Sequence, residues 1–138
     1  MLRLEDGTHL FESNAILCYL AEGTPYLPED RLARAQALQW MFWEQNSHEP
    51  WVAVARRIRF LEGKDVEPAI MERGNGALAH MEWHVADAPF LVGEAPTLAD
   101  LALVAYTRMA GDGGFDLGRY PAVRAWVARV EAAMGITD

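Results

Sequence analysis

The sequence predicts a mainly α-helical protein, in which a bundle of about five helices follows a β-hairpin and one short helix. Three observations lead to this class. Apolar residues recur at helical spacing in five segments after residue 30. Two short extended runs flank Asp6-Gly7 near the start. No strand pattern appears after Phe11.

Composition limits the functional classes. The chain has 138 residues, 51% of them hydrophobic, which is enough for one domain with a substantial core. The net charge of −8 disfavours binding to nucleic acid or to an anionic membrane. No stretch approaches the roughly 20 apolar residues of a membrane-spanning helix, and the acidic N-terminus is unlike a signal peptide. The single cysteine, Cys18, excludes an internal disulfide and predicts a cytoplasmic protein.

The first element is the hairpin. Asp6-Gly7 predicts a type I′ turn, which needs positive φ at both central residues. A lone hairpin is marginal in water, so we expect the rest of its sheet to lie upstream or in another chain. Its apolar face is expected to pair with a second chain, to be covered by rearrangement or to be poorly ordered. That face comprises residues such as Leu2, Leu4, Leu10 and Phe11.

Helices account for the next part of the chain. Residues 13–21 predict a short helix, and residues 23–30, with one glycine and two prolines, predict a linker. An aromatic-rich helix follows, and Pro50 predicts a kink or break at Glu49. Helical spacing resumes at Trp51 and stops near Gly63.

The last three helices have clear boundaries. One opens at Pro68 and runs to Val85, and its Gly74 and Gly76 predict close backbone contact. The next runs from Leu98 to Met109, is apolar on every side and should lie at the centre of the bundle. A glycine-rich turn at residues 111–118 precedes the final helix, residues 121–134.

Several motifs together resemble one family. Residues 4–16 (LEDGTHLFESNAI), then Tyr19-Leu20-Ala21 and Leu27-Pro28, resemble the end of the thioredoxin-like domain of a glutathione transferase. Three later motifs are similar to its helical C-terminal domain: Phe90 to Gly93, Pro96 to Ala102, and Tyr120-Pro121-Ala122 with Trp126. The resemblance implies a thioredoxin-like remnant at residues 1–22 and the all-α domain at residues 23–138.

The resemblance also implies a reaction. Complete members of this family catalyse attack of the glutathione thiolate on an apolar electrophile, with glutathione as cosubstrate and no metal, and a homodimer is expected. The Tyr, Ser or Cys that stabilises the thiolate belongs to a β-α-β-α unit before the hairpin, which these residues do not include. We therefore expect no catalytic residue here and little or no activity from the 138 residues alone. A separate thioredoxin-like chain is a further possible partner.

A second function remains open at this stage. Domains similar to this one serve as docking units in translation factors and aminoacyl-tRNA synthetase complexes. The alternative is therefore a non-catalytic helical module for protein–protein assembly.

Glu12 and Ser13 are the leading binding candidates. A strand delivers a carboxylate and a hydroxyl to a helix N-terminus, where free amides and the helix dipole favour an anion. The resemblance implies that Ser13 holds the γ-glutamyl carboxylate of glutathione through its hydroxyl and amide, while Glu12 faces the γ-glutamyl ammonium. The alternative is an ordinary serine N-cap beside a solvated glutamate.

Aromatic residues suggest a second pocket. The four candidates either wall an apolar cosubstrate pocket or pack in the core; they are Trp40, Trp43, Trp51 and Tyr106. Thr97 and Asp100 look like a polar dyad, but their spacing predicts a structural N-cap in the form of a capping box.

The remaining polar groups have ordinary interpretations. Cys18 is expected to be an unreactive packing thiol. His80 and His84 lie one turn apart near Asp87 and indicate an exposed polar face rather than a metal site. Three arginines, Arg56, Arg57 and Arg59, are more typical of a solvated face than of an anion site. Residues 111–114 form a turn, not a phosphate-binding loop.

Overall fold

A computed structural model of the chain describes residues 1–137. Two short strands come first and six α-helices follow within this range. Their bounds are β1 Leu2–Arg3, β2 His9–Leu10, α1 Ser13–Ala21, α2 Arg31–Trp43, α3 Glu49–Arg56, α4 Pro68–Val85, α5 Leu98–Thr107 and α6 Pro121–Met134. The five helices after α1 form the predicted bundle, so the predicted fold class is confirmed.

β1 and β2 form an antiparallel pair, with Leu2 opposite Leu10 and Arg3 opposite His9. Between them the Gly7 amide donates to the Leu4 carbonyl at 3.0 Å, and the Leu4 amide donates to the Thr8 carbonyl at 2.8 Å. Gly7 has a φ of 88°, whereas Asp6 does not have positive φ. The prediction of a type I′ turn is therefore wrong. The three-residue loop with one left-handed glycine is favoured because the Asp6 carboxylate accepts the Thr8 amide at 2.8 Å.

The apolar face of the hairpin is only partly covered. Leu2 and Leu4 are half-buried and line a shallow cleft with Tyr19 and Leu20 of α1. Phe11 keeps 72% of its surface exposed. Within residues 1–137, β1 and β2 pair only with each other. Local covering by α1 thus accounts for part of the face, and pairing with a second chain stays a prediction.

The backbone stays helical through Pro50. A π-helical turn at Glu44–His48 joins α2 to α3, and the Glu49 amide donates to the Glu44 carbonyl. Pro50 then lies in the first turn of α3, where its missing amide hydrogen is not needed. The sequence predicts a kink or break at Glu49. The structure has instead a π-helical turn, whose wider backbone accommodates Pro50 while the chain stays helical.

Helix α5 lies at the centre of the bundle, as its all-round apolar sequence predicts. It packs against α1, α2, α3 and α6. Its buried apolar side chains include Leu98, Ala99, Ala102, Leu103 and Val104. In the described part of the chain no helix combines the length and the apolar character needed to cross a bilayer.

Gly74 permits a close approach between α4 and the glycine-rich turn. A Cβ at this position would lie 2.3 Å from Cζ of Phe115, a side chain that is only 3% exposed. The prediction of close contact is confirmed for Gly74. It is wrong for Gly76, where an added Cβ would meet no atom within 4 Å.

The predicted capping box is present at the start of α5, and its Asp100 carboxylate also accepts hydrogen bonds from outside the helix. The Thr97 amide donates to the Asp100 carboxylate at 2.9 Å, and the Ala99 amide donates to Thr97 Oγ1 at 3.3 Å. Asp100, with no exposed surface, also accepts from the Leu91 amide at 2.9 Å and from Trp126 Nε1 at 2.8 Å. One carboxylate therefore joins α5 to the preceding loop and to α6.

Candidate functional site

The N-terminus of α1 begins at a strained residue. Glu12 has φ 67° and ψ 118°, and it is the one non-glycine residue among residues 1–137 with positive φ. Such a conformation costs about 1–3 kcal/mol and is concentrated at functional sites in proteins. The Glu12 carbonyl accepts the first helical hydrogen bond from the Ile16 amide at 3.0 Å. Glu12, rather than Ser13, is therefore the N-cap residue.

Ser13 is the first residue of α1 and is exposed. No side chain caps this helix end. The interpretation of Ser13 as an ordinary N-cap is wrong, because it stands one position too late to cap the helix. The first amides of a helix have no partner within the helix, so this end offers donors and a positive dipole end to a bound anion.

Asn14 anchors that helix end to the bundle. Its Nδ2 donates to the Met41 carbonyl of α2 at 3.1 Å and to the Glu44 carboxylate at 3.2 Å. Sequence reasoning did not single out Asn14. The available signal was its amide, placed directly after Ser13, in a helical turn that is otherwise apolar.

A row of polar side chains continues from Asn14 along the π-helical turn. Gln45 Nε2 lies 2.7 Å from a Glu44 oxygen and 2.6 Å from a Glu49 oxygen, and it donates to both carboxylates. Glu44 is only 2% exposed, and its burial raises the pKa of this carboxyl. The network joins the N-terminus of α1 to the first turn of α3.

Two clefts adjoin this network. The first, of about 390 Å³, is an apolar groove between α1 and α2 lined by Glu12, Asn14, Ala15, Cys18, Leu38, Met41, Phe42 and Gln45. The second, of about 580 Å³, is lined by Gln45, Glu49, Pro50, Ala53, Val54, Arg56, Arg57, Leu61 and Tyr106. Gln45 lines both, so the larger cleft lies next to the end of α1 that carries Glu12.

Tyr106 is the one predicted pocket residue that lines the larger cleft. Burial raises the pKa of the Tyr106 phenol, and the nearby Glu49 and Glu44 add to this effect. The phenol thus stays a hydrogen-bond donor at neutral pH. Across the cleft Arg56 Nε lies 3.0 Å from an Asp112 oxygen, and Arg57 pairs with a Glu62 oxygen at 3.2 Å.

The three predicted tryptophans do not join Tyr106 there. Trp40 is buried and Trp43 is half-buried, and their rings meet edge to face at 5.2 Å. Trp51 packs under the guanidinium of Arg73, whose carbon lies 4.7 Å from the ring centroid. The three tryptophans therefore do not line the cleft at Tyr106, and Trp40 packs in the hydrophobic core instead.

Cys18 and the two histidines are placed as follows. Burial raises the pKa of the half-buried Cys18 thiol, which disfavours a reactive thiolate. His80 is exposed, but its ring also lies 5.6 Å from Trp40 and 5.1 Å from Trp43. His84 is half-buried and hydrogen-bonded, so the prediction of a plain polar face is wrong for it. Residues 1–137 contain no group of three or more His, Cys, Asp and Glu placed to hold a metal ion.

A buried histidine was missed by sequence reasoning. His48 is fully buried in the π-helical turn, and its Nε2 lies 3.0 Å from Thr107 Oγ1. The Thr107 hydroxyl donates to the Leu103 carbonyl at 2.7 Å, so it accepts the proton of His48 Nε2. Burial lowers the pKa of His48 to about 4. Its Nδ1 has no hydrogen-bond partner among the described residues.

Comparison with known proteins covers nearly the whole chain. Residues 44–133 match the family model of the glutathione S-transferase C-terminal domain. The chain is 32% identical to the disulfide-bond oxidoreductase YfcG of Escherichia coli K12, over 89% of this chain and 59% of that protein. It is 32% identical to human glutathione S-transferase theta-2, over 96% of this chain and 60% of that enzyme. The chain thus spans about three-fifths of the length of these relatives.

Other matches extend this comparison. A glutathione S-transferase structure from Xanthobacter autotrophicus Py2 is 52% identical with a TM-score of 0.92, covering 98% of this chain and 68% of that one. Ure2p, solved in complex with glutathione, is 23% identical with a TM-score of 0.77 over 92% of this chain and 64% of that one, which shows a shared fold. The cytoplasmic methionine–tRNA ligase of Xenopus laevis is 30% identical over 75% of this chain and 11% of the ligase.

Proposed function

Because this chain belongs to the glutathione S-transferase family, we propose that the N-terminus of α1 binds the γ-glutamyl end of glutathione. In this proposal the Ser13 hydroxyl and amide bind the γ-glutamyl carboxylate, and the Glu12 carboxylate pairs with the ammonium group. Glutathione is the cosubstrate, and the reaction is conjugation of its sulfur to an apolar electrophile.

The observation that carries the proposal is the uncapped, exposed helix end held open by a strained residue. No side chain caps the start of α1, whereas Thr97 caps the start of α5. Glu12, whose φ of 67° marks the strained start of α1, directly precedes Ser13 in the sequence and brings a carboxylate to this helix end. The hydrogen bonds of Asn14 hold the helix end against α2. The γ-glutamyl end of glutathione carries an ammonium and a carboxylate. The Glu12 carboxylate is complementary to the ammonium, and the helix N-terminus is complementary to the carboxylate.

The second substrate is assigned to the 580 Å³ cleft. Tyr106 supplies an aromatic surface and a hydroxyl donor there, and Pro50, Val54 and Leu61 supply apolar surface. Its volume falls in the range of small-molecule sites. We assign lowering of the thiol pKa, the chemical part of the reaction, to a group outside these 138 residues, and predict little or no turnover from them alone. Turnover of a chlorodinitrobenzene-type electrophile above the uncatalysed rate would contradict this.

An NMR titration tests the binding proposal. Glutathione added to the ¹⁵N-labelled chain should shift the amide signals of Ser13 and Asn14, whereas cysteinylglycine, which lacks the γ-glutamyl group, should not. Ser13→Ala should weaken the response about tenfold by removing a hydrogen bond to a charged group. Thr137→Ala, which removes a hydroxyl from an exposed residue near the end of the described chain, is the matched control. Equal shifts with both ligands, or no loss in Ser13→Ala, would reject the γ-glutamyl site.

The proposal includes a homodimer in the cytoplasm. Phe42, 73% exposed, stands on the rim of the apolar groove between α1 and α2. A second copy that packs against Phe42, outside the part of the groove lined by Glu12, would bury this ring. Sedimentation equilibrium should give a dimer that Phe42→Asp converts to monomer. A wild-type monomer would contradict the homodimer and leave a separate thioredoxin-like chain as the partner of the hairpin.

Similarity to a methionine–tRNA ligase favours a second candidate, a docking module. The match covers 75% of this chain but only 11% of the ligase, so in that protein the similar part is a small piece of a larger enzyme. Failure of glutathione to shift the α1 amides, together with tight binding to a protein partner in a pull-down with purified components, would favour this function.

A further inference from the structure

A third cleft, of about 390 Å³, lies between α2, α4 and the loop at residues 88–93. Its lining includes the aromatic side chains of Trp40, Trp83 and Phe90 and the amides of Gln36 and Gln39. It shares no lining residue with the groove at Glu12 or with the cleft at Tyr106. Any ligand bound here would therefore leave the proposed glutathione site free.

Aromatic rings dominate the walls of this cleft. Trp40 forms a buried wall, Phe90 is half-buried and Trp83 keeps 76% of its surface exposed. The Trp83 indole does not pack into the core. Most of its apolar surface faces water at the edge of the cleft. Exposed aromatic surface at the edge of a cleft is typical of binding sites.

The ring wall is preassembled. His84 Nε2–H donates to the Leu91 carbonyl at 3.0 Å, which ties the end of α4 to the loop. The His84 ring centroid lies 4.7 Å from that of Trp40, and the His80 centroid lies 5.6 Å from it. Because these rings already contact one another, a ligand that stacks there need not order them first.

The polar groups in the cleft include two glutamine amides and no Asp, Glu, Lys or Arg side chain. Charged residues make up 23% of the chain, but Asp, Glu, Lys and Arg are all missing from this lining. Gln36 and Gln39 instead offer amide groups, each a donor and an acceptor. This combination suits an uncharged ring system with a heteroatom, because the amides can hydrogen-bond the heteroatom while the lining has no Asp, Glu, Lys or Arg side chain to pair with an ionic ligand.

We propose that this cleft binds an uncharged, planar heteroaromatic molecule of two or three fused rings. The ligand stacks against Trp83 and the wall that Trp40 forms, and its ring heteroatom is hydrogen-bonded by the amide of Gln36 or Gln39. The site is separate from glutathione binding and does not depend on it.

Acridine, which is uncharged at mildly alkaline pH, is a suitable probe. Titration of the ¹⁵N-labelled chain should shift the indole NH signals of Trp40 and Trp83 saturably, leaving that of Trp51 in place. Trp83→Ala should weaken acridine binding about tenfold through loss of stacking. Phe60→Ala, which removes an exposed aromatic side chain outside the cleft, should leave the affinity unchanged. Because Trp83 is exposed, its variant should keep the wild-type melting temperature.

A second variant tests the hydrogen bond. The double change Gln36→Leu and Gln39→Leu should weaken acridine binding about fivefold while leaving the stacking surface in place. The proposal is overturned if acridine does not bind saturably or binds Trp83→Ala as tightly as wild type. It is also overturned if Trp83→Ala converts a dimer to a monomer, because the cleft would then be covered by a second copy of the chain.

Discussion

The start of α1 and the start of α5 differ in the burial and the hydrogen bonding of their polar groups. At α5 the fully buried Asp100 accepts four hydrogen bonds, from Leu91, Trp126 and twice from Thr97. At α1 the exposed Glu12 adopts a strained backbone and no side chain caps the helix. Buried polar groups must be satisfied by the protein itself, whereas an exposed helix end can leave its donors to a ligand. The start of α5 therefore stabilises the fold, whereas the start of α1 keeps hydrogen-bond donors available to the proposed ligand.

Loss of the Asp100 carboxylate should have the largest effect. Asp100→Ala leaves the Leu91, Thr97 and Trp126 N–H donors buried without partners, which should lower the free energy of unfolding by about 4 kcal/mol. Urea unfolding monitored by circular dichroism measures this. Asp87→Ala, at an exposed position of the same loop region, is the control and should change stability by less than about 0.5 kcal/mol. Similar losses of unfolding free energy in the two variants would show that Asp100 does not stabilise the fold.

His48 is a second buried polar group, and its burial makes the stability of the protein depend on pH. Its pKa is lowered from 6.5 to about 4, so the unfolded chain binds more protons between these values. The stabilisation is present above pH 6.5 and is lost as pH falls toward 4, by about 3 kcal/mol. Urea unfolding at several pH values checks this.

A variant isolates the histidine from neighbouring groups. The raised pKa of buried Glu44 has the opposite effect, because its contribution is present at low pH and is lost as pH rises. The comparison of wild type with His48→Gln cancels that contribution. The variant should show a flatter rise of stability with pH, and equal slopes would mean that His48 does not titrate as a buried group.

Gly74 tests how tightly the scaffold is packed. Gly74→Ala places a methyl group 2.3 Å from Phe115 Cζ and should cost about 2 kcal/mol of unfolding free energy. The matched change Gly76→Ala, at an open position of the same helix, should instead stabilise the protein by up to about 1 kcal/mol. Thermal and urea unfolding of the pair measure both signs. Equal effects would show that α4 and the glycine-rich turn adapt to each other.

The smallest expected effect is at Glu12, and its sign is the informative part. Glu12→Gly relieves the positive φ and should stabilise the chain by about 1 kcal/mol, while weakening the response of the Ser13 amide to glutathione. Glu5→Gly, at an exposed residue without positive φ, should give no gain in stability. If Glu12→Gly is no more stable than wild type, the strain argument for this site fails.

Much of the fold could be predicted from local patterns. The helix at residues 68–85, the start of the next helix at Leu98 and the capping box at Thr97 follow from spacing and capping chemistry, which act over a few residues. That second helix ends at Thr107 rather than at the predicted Met109. The type I′ turn was a wrong prediction because Asp-Gly also suits a three-residue loop once the aspartate binds the Thr8 amide. Pro50 was predicted to disturb the helix, but the π-helical turn that accommodates it depends on packing around His48 and Glu44.

The candidate site was predictable only in part. The positions of Glu12 and Ser13 came from the order of strand and helix together with the family resemblance. The role of Asn14 depends on a partner 30 residues away, which its position after Ser13 does not reveal, and the role of Gln45 depends on the carboxylates that it joins. The four aromatic pocket candidates were grouped by type, and the helices carry them to different places.

The sequence by itself determined the helical class, the order of the elements and the family, because helix periodicity, caps and turn residues act between near neighbours in the chain. Only the tertiary structure decided that Asp100 binds Trp126, that Tyr106 lines a cleft without the tryptophans, and that Glu12 is strained. The physical reason is that these outcomes depend on which distant segments meet and on which polar groups they bury together. Short-range propensity carries no information about either.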